Sequence, residues 1–169
     1  KYNISKDYSF KIISHSKYDI FCGYYDKIPF SNCGRYLFYN KKNNNTVEVV
    51  CYDLLLDKEI SFGKSLAWST QLGARIFWLD NSKNIGFNDL ENKQQIFVLK
   101  DFKTKKILRK INYPIFDINR ENTLGLSLDF NKLEHSRPGY GFFGKNSFKE
   151  SIGIVNLKKN TCKKILSIK

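Results

Sequence analysis

The sequence predicts an all-β chain built from one four-stranded unit written three times, and two features carry that reading. Strand signals dominate. Residues 35–39 (RYLFY), 47–52 (VEVVCY), 75–79 (RIFWL), 95–99 (QIFVL), 123–128 (TLGLSL) and 152–155 (IGIV) are short, apolar and rich in aromatic or β-branched side chains, which suit a pleated, half-buried surface. The breakers SNCG, DNSKN and NRENT lie between strands. No window keeps a 3.6-residue apolar period over three turns. The second feature is repetition. PFSNCGRYLFY leads to VEVVCYDLLLDKEISF, RIFWLDNSKNIGFN to QQIFVLKDFKTKKILRKI, and PIFDINRENTLGLSL to ESIGIVNLKKNTCKKILSI.

Each copy reads as strand, polar turn, strand, variable gap, strand, turn, strand. A four-stranded antiparallel meander repeated in this way is a propeller blade. The recurring third-to-fourth strand turn (Asp or Asn, spacer, lysines, isoleucine) favours a β-propeller over a plain β-sandwich. Three blades are expected, over about 27–63, 74–111 and 114–168, with 1–22 a leading strand or part of another blade. Known propellers close with about four to eight blades, so three make a partial propeller. The absence of any Met also suggests a piece of something longer.

Composition narrows the class. The 169 residues are 41% hydrophobic and 15% aromatic, enough for one domain with a core. No apolar run reaches the length of a membrane-spanning helix, and no signal-peptide core is visible. The net charge of +13 has two readings: a partner bearing phosphates or acidic sugars, or a Lys-, Asn- and Ile-rich composition of AT-rich coding origin. The lysines are scattered, which disfavours nucleic acid. Cys22, Cys33, Cys51 and Cys162 form no CxxC pair, so neither a zinc site nor a disulfide framework is indicated. Free, buried thiols in a reducing, cytoplasmic setting are the expectation.

In a blade numbered outward from the axis, the connections between blades and between second and third strands share one face of the disc. The segments GYYDKIPF (23–30), GKSLAWSTQLGAR (63–75) and 112–114, the loops 40–45 and 88–94, and the long loop 129–150 are all expected there. GYYDKIPF is read as the lead into the first strand of blade one. The opposite face receives only short turns. Long loops on a rigid scaffold usually carry function, so GYYDKIPF and SRPGYGFFGK are expected to border one entrance.

Candidate ligand contacts follow from side-chain chemistry. Tyr24 and Tyr25 offer flat faces and hydroxyls to a sugar, with Asp26 and Lys27 beside them; the alternative is a turn with its own salt bridge. Trp68 and Gln71 precede Arg75, whose fork suits a carboxylate or phosphate; the alternatives are packing of Trp68 between blades, the favoured reading for that residue, and a bridge between loops for Arg75. Asn88 and Asp89 lie on a loop of the same face. Arg137 and Tyr140 sit on a loop stiffened by Pro138 and freed by Gly139 and Gly141. His15 and His135 are the only histidines and are expected at the surface. No nucleophile motif, P-loop or dinucleotide fingerprint appears, so no cofactor or metal is assigned.

GYYDKIPFSNCGRYLFYN, AWSTQLGARIFWL, IGFND and RPGYGF, in this order, resemble a family of bacterial β-propellers, six- or seven-bladed and tryptophan-aspartate-repeat-like, often encoded beside surface-polysaccharide genes. The resemblance spans about residues 15–142. It implies a longer propeller and supplies no catalytic residues. A more distant likeness is to oligogalacturonate lyases, propellers that hold manganese through histidines, which this chain has in too small a number. The expected function is therefore a binding module for a saccharide, sugar phosphate or other acidic or hydroxyl-rich ligand. Part of a polysaccharide-processing enzyme, or a protein–protein scaffold, are the alternatives.

Overall fold

A computed structural model describes residues 12–146, 148–149 and 151–167. Three four-stranded antiparallel sheets follow one another along the chain. Blade one holds β1 (Ile20–Phe21), β2 (Tyr36–Asn43), β3 (Thr46–Asp53) and β4 (Lys58–Ser65). Blade two holds β5 (Phe77–Leu79), β6 (Asn84–Glu91), β7 (Gln94–Asp101) and β8 (Ile107–Ile111). Blade three holds β9 (Asp117–Ile118), β10 (Leu124–Leu128), β11 (Ser151–Asn156) and β12 (Thr161–Ser167). Every sheet is a meander in chain order, as the repeat predicts.

The blades stack face to face. Phe38, Val47, Val49 and Phe62 of blade one meet Ile85, Phe87, Ile96 and Val98 of blade two. Phe77, Leu79, Phe97 and Ile111 on the far side of blade two meet Ile115, Val155 and Leu157. Alternation along β6 explains this use of both faces: Ile85 and Phe87 point one way, and the intervening positions the other.

Each joint also carries a polar clip. Asn40 and Asn88 are each the fifth residue of a second strand, and both are fully buried. The Asn40 carboxamide oxygen accepts from Ala74 N at 2.9 Å, and its NH2 donates to Phe21 O. Asn88 accepts from Ile115 N at 2.8 Å and donates to Ile115 O at 2.9 Å. Asn88 thus acts as a short piece of strand for the next blade's inner segment, while Asn40 bridges the inner strand of its own blade, at Phe21, to the inner segment of the next, at Ala74.

The recurring third-to-fourth strand turn has a physical cause as well. Asp53 accepts from Leu55 N and Leu56 N, Asp101 from Thr104 N, and Asn156 from Lys158 N and Lys159 N. The Asp or Asn ending each third strand caps the turn that follows.

Several boundaries differ from expectation. GYYDKIPF does not lead into the first strand of blade one. β1 precedes it, and the last residue of the segment, Phe30, bridges Leu37. The segment is a detour within the innermost strand, and blade one begins at Ile20. Two adjacent paired residues give too weak a pattern to read as a strand. The loops expected at 40–45 and 88–94 are tight turns, at Asn44–Asn45 and Asn92–Lys93, because β2 and β6 run further than their apolar stretches. The loop 129–150 contains a helix, α1 (Phe130–Ser136), capped by the Asp129 side chain; two turns escape a three-turn periodicity test. Of the cysteines only Cys51 is buried, while Cys22 and Cys33 are exposed. His135 is exposed and His15 half-buried.

Candidate functional site

The detour of blade one crosses the inner edges of its neighbours. Arg75, 1% exposed, stands just before β5 with a left-handed backbone, φ 51°. Its guanidinium donates to both Asp26 carboxylate oxygens, at 3.0 and 3.2 Å, and to Phe116 O at 2.9 Å through Nε. It lies 4.2 Å above the Phe116 ring. Lys27 donates to Asp117 Oδ1 at 2.5 Å, with its ammonium 4.2 Å from the Phe77 ring centroid. Two cations and two carboxylates therefore alternate across all three blades. Burial lowers the pKa of Arg75, and Asp26 opposes it. Burial and then Arg75 lower that of Lys27, against the pull of Asp117. Burial works to raise Asp117, but the Lys27 bond and charge leave it below the ordinary carboxylate value.

Above this layer lies an aromatic one. Tyr24 packs on Tyr25 at 4.3 Å between centroids and meets Tyr140 edge-on at 5.7 Å. Hydrogen bonds with Tyr25 and Tyr140 push the Tyr24 phenol up to about 12. The Arg137 guanidinium lies 4.1 Å over the Tyr140 ring. Tyr25 is 86% exposed, and Arg137 is exposed. Among the described residues no carboxylate pairs with Arg137.

The loop carrying Arg137 and Tyr140 is built from within. Glu134, on α1, accepts from Gly139 N at 3.0 Å and from Gly141 N at 2.8 Å. Gly139 O accepts from Gln71 N at 3.0 Å, which ties this loop to the segment between blades one and two. Phe130 and Phe142 stack at 4.4 Å beneath, over Ala67 and Leu72. A side chain at Gly141 would collide with Phe130 O and Glu134 N, so this residue type is fixed by close approach.

The structure thus brings Tyr24, Tyr25, Asp26, Lys27, Gln71, Arg75, Arg137 and Tyr140 to one region, and the two unusual stretches touch through Tyr24 and Tyr140. It places the others elsewhere. Trp68 packs near Phe21 and donates its indole N–H to Asn45 O. Asn88 is the clip described above. Asp89 accepts from Leu66 N and Leu90 N, and burial raises its pKa. Sequence reasoning missed Asp117, Glu134 as loop organiser, and Asn40. The signal for Asn40 was present: one asparagine recurs inside apolar strands, in FYNK and FNDL.

No family model matches the chain, and no curated protein matches it. Solved structures do. Oligogalacturonate lyase from Vibrio parahaemolyticus superposes with a TM-score of 0.60 at 8% identity, covering 92% of this chain and 43% of the lyase. An oligogalacturonate lyase in complex with manganese superposes at 0.61 and 10% identity, over 90% of this chain and 42% of that one. This chain therefore spans less than half the length of either. Among its described residues no three of His, Cys, Asp and Glu gather where they could hold a metal. What the chain shares with both proteins is the fold: it is three blades of β-propeller architecture.

Proposed function

We propose that the loop-rich face binds an acidic or hydroxyl-rich saccharide, a uronate or sugar phosphate being the favoured class, through Tyr24, Tyr25, Tyr140, Arg137 and Gln71. The observation that carries this reading is the Tyr24–Tyr140–Arg137 stack. It presents aromatic faces, phenol hydroxyls and an exposed guanidinium in one array, on a loop whose backbone Glu134 holds. Aromatic faces suit the C–H surface of a sugar ring, and a planar fork suits a carboxylate or phosphate. Asp26, Lys27 and Arg75 hold the detour in place beneath that surface instead of contacting the ligand. Oligogalacturonate, the saccharide for which both lyases are named, is of this class and supplies a probe. Calorimetric titration of the full-length protein with oligogalacturonate and with a neutral oligosaccharide tests the reading. Preferential binding of the acidic sugar, weakened in Arg137→Ala and Tyr140→Ala, supports it. Absence of binding, or binding indifferent to both changes, overturns it.

A further inference from the structure

The face opposite the candidate site collects what the chain otherwise scatters. The β3–β4, β7–β8 and β11–β12 turns lie on one side of the stacked sheets, because each joins a third strand to a fourth in a sheet of the same topology. These turns and their flanks carry Lys58, then Lys103, Lys105 and Lys106, then Lys158 and Lys159. A groove of about 380 Å³ joins the first two turns, where Lys58, Lys103, Lys105 and Leu56 share the lining with the carboxylates Asp53 and Glu59. Lysines far apart in sequence therefore form one arc.

Their ammonium groups are in no close ion pair, although Asp101, its pKa lowered by the bonds from Thr104, lies near enough to Lys103 for that charge to lower it further. The carboxylates nearby are already engaged: Asp53 by Arg35 at 2.6 and 2.9 Å, Asp57 by the Tyr52 hydroxyl, Glu59 by Lys41 and Tyr39, and Asp101 by the Thr104 hydroxyl at 2.7 Å and its N–H. Among the described residues none of the six lysines has an ion-pair partner.

Apolar side chains project from the same arc. Leu55 is 73% and Leu56 64% exposed, adjacent at the apex of the β3–β4 turn. Ile107 and Leu108, just past the β7–β8 turn, are exposed too. The leucines are held out and not merely loose. Asp53, fixed by Arg35, accepts from both of their backbone N–H groups. A rigid turn presenting two aliphatic side chains beside an arc of lysines matches one surface chemistry: anionic headgroups over hydrocarbon. Nucleic acid matches the charge but offers nothing to leucines, and the aromatic rings at this edge, Tyr36 and Phe102, pack on each other at 4.7 Å between centroids.

We propose that this turn edge docks on an anionic lipid bilayer, with Leu55 and Leu56 entering the headgroup boundary and the lysine arc meeting the lipid phosphates. The site-bearing face is then directed away from the membrane.

Co-sedimentation of the full-length protein with phosphatidylcholine vesicles, with and without phosphatidylglycerol, tests the proposal. Binding is expected only with the anionic lipid and falls as salt rises. Leu55→Ser with Leu56→Ser is expected to weaken it on the order of tenfold or more, since burying one leucine contributes about that factor. Both leucines are exposed, so this variant keeps its melting temperature. Lys103→Glu with Lys105→Glu is expected to abolish binding. Equal binding to both vesicles, binding to neither, or anionic binding untouched by the leucine change overturns the proposal. Retention on DNA without vesicle binding overturns it in favour of a nucleic-acid surface.

Discussion

The Asp26 carboxylate and the Arg75 guanidinium form a two-pronged pair at 3.0 and 3.2 Å, in which the cation is buried and the anion reaches the surface. Removing the anion leaves a desolvated charge without its partner. Asp26→Ala is expected to lower stability by about 2–3 kcal/mol in urea unfolding, less than a fully buried pair costs because a third of Asp26 still sees water. An unchanged denaturation midpoint shows that Arg75 finds enough elsewhere, at Phe116 O.

Asn88→Leu keeps the branch at Cγ, adds some bulk and deletes the polarity of the clip. Ile115 N and O then stay buried without partners, so a loss of about 2–4 kcal/mol is expected. The urea dependence of circular dichroism reads it directly.

Gly73 sits at φ 59°, and a Cβ there overlaps the Asn40 side chain. Gly73→Ala meets backbone strain and a clip that cannot move. A loss of about 2 kcal/mol or more is expected, whereas Gly34→Ala, with open space around it, pays only for its positive φ. The difference in melting temperature between the two variants isolates the collision.

Acid is expected to act through Asp53. Hydrogen bonds from Arg35 and then from Leu56 N and Leu55 N hold its pKa at about 2, below the ordinary 3.8. Because the folded value lies below the unfolded one, this contribution is complete above pH about 4 and is lost as pH falls towards 2. Melting temperature should drop across that window. Asp53→Asn should melt lower at neutral pH and show a shallower drop. An identical slope in the variant assigns the acid sensitivity to other carboxylates, Asp117 first.

Much of this architecture was legible because repetition is visible at the level of letters. The Asp or Asn that ends each third strand caps its turn, so the motif recurred where the geometry did. Antiparallel order put GYYDKIPF and RPGYG on one face, but through a connection that proved to be a detour inside the innermost strand. What hid was non-local or short. β1 has two residues and declares itself only through its pairing with Lys41 and Asn40. Arg75 looks like an exposed ligand clamp in sequence, but its left-handed turn folds it inward onto Asp26. Asp117 lies in a stretch with nothing to mark it, and its role exists only because Lys27 arrives from another blade.

That arrival changes how the molecule should come apart. In a stack of repeats each unit ordinarily senses only the one beside it, and unfolding can fray from either end. Lys27 belongs to blade one and Asp117 to blade three, so the first and third units are coupled across the second. The end blade cannot be peeled away without disturbing the tyrosines above it. A ligand resting on those tyrosines would therefore tighten the whole stack, not one loop, and the three blades should melt as a single cooperative unit.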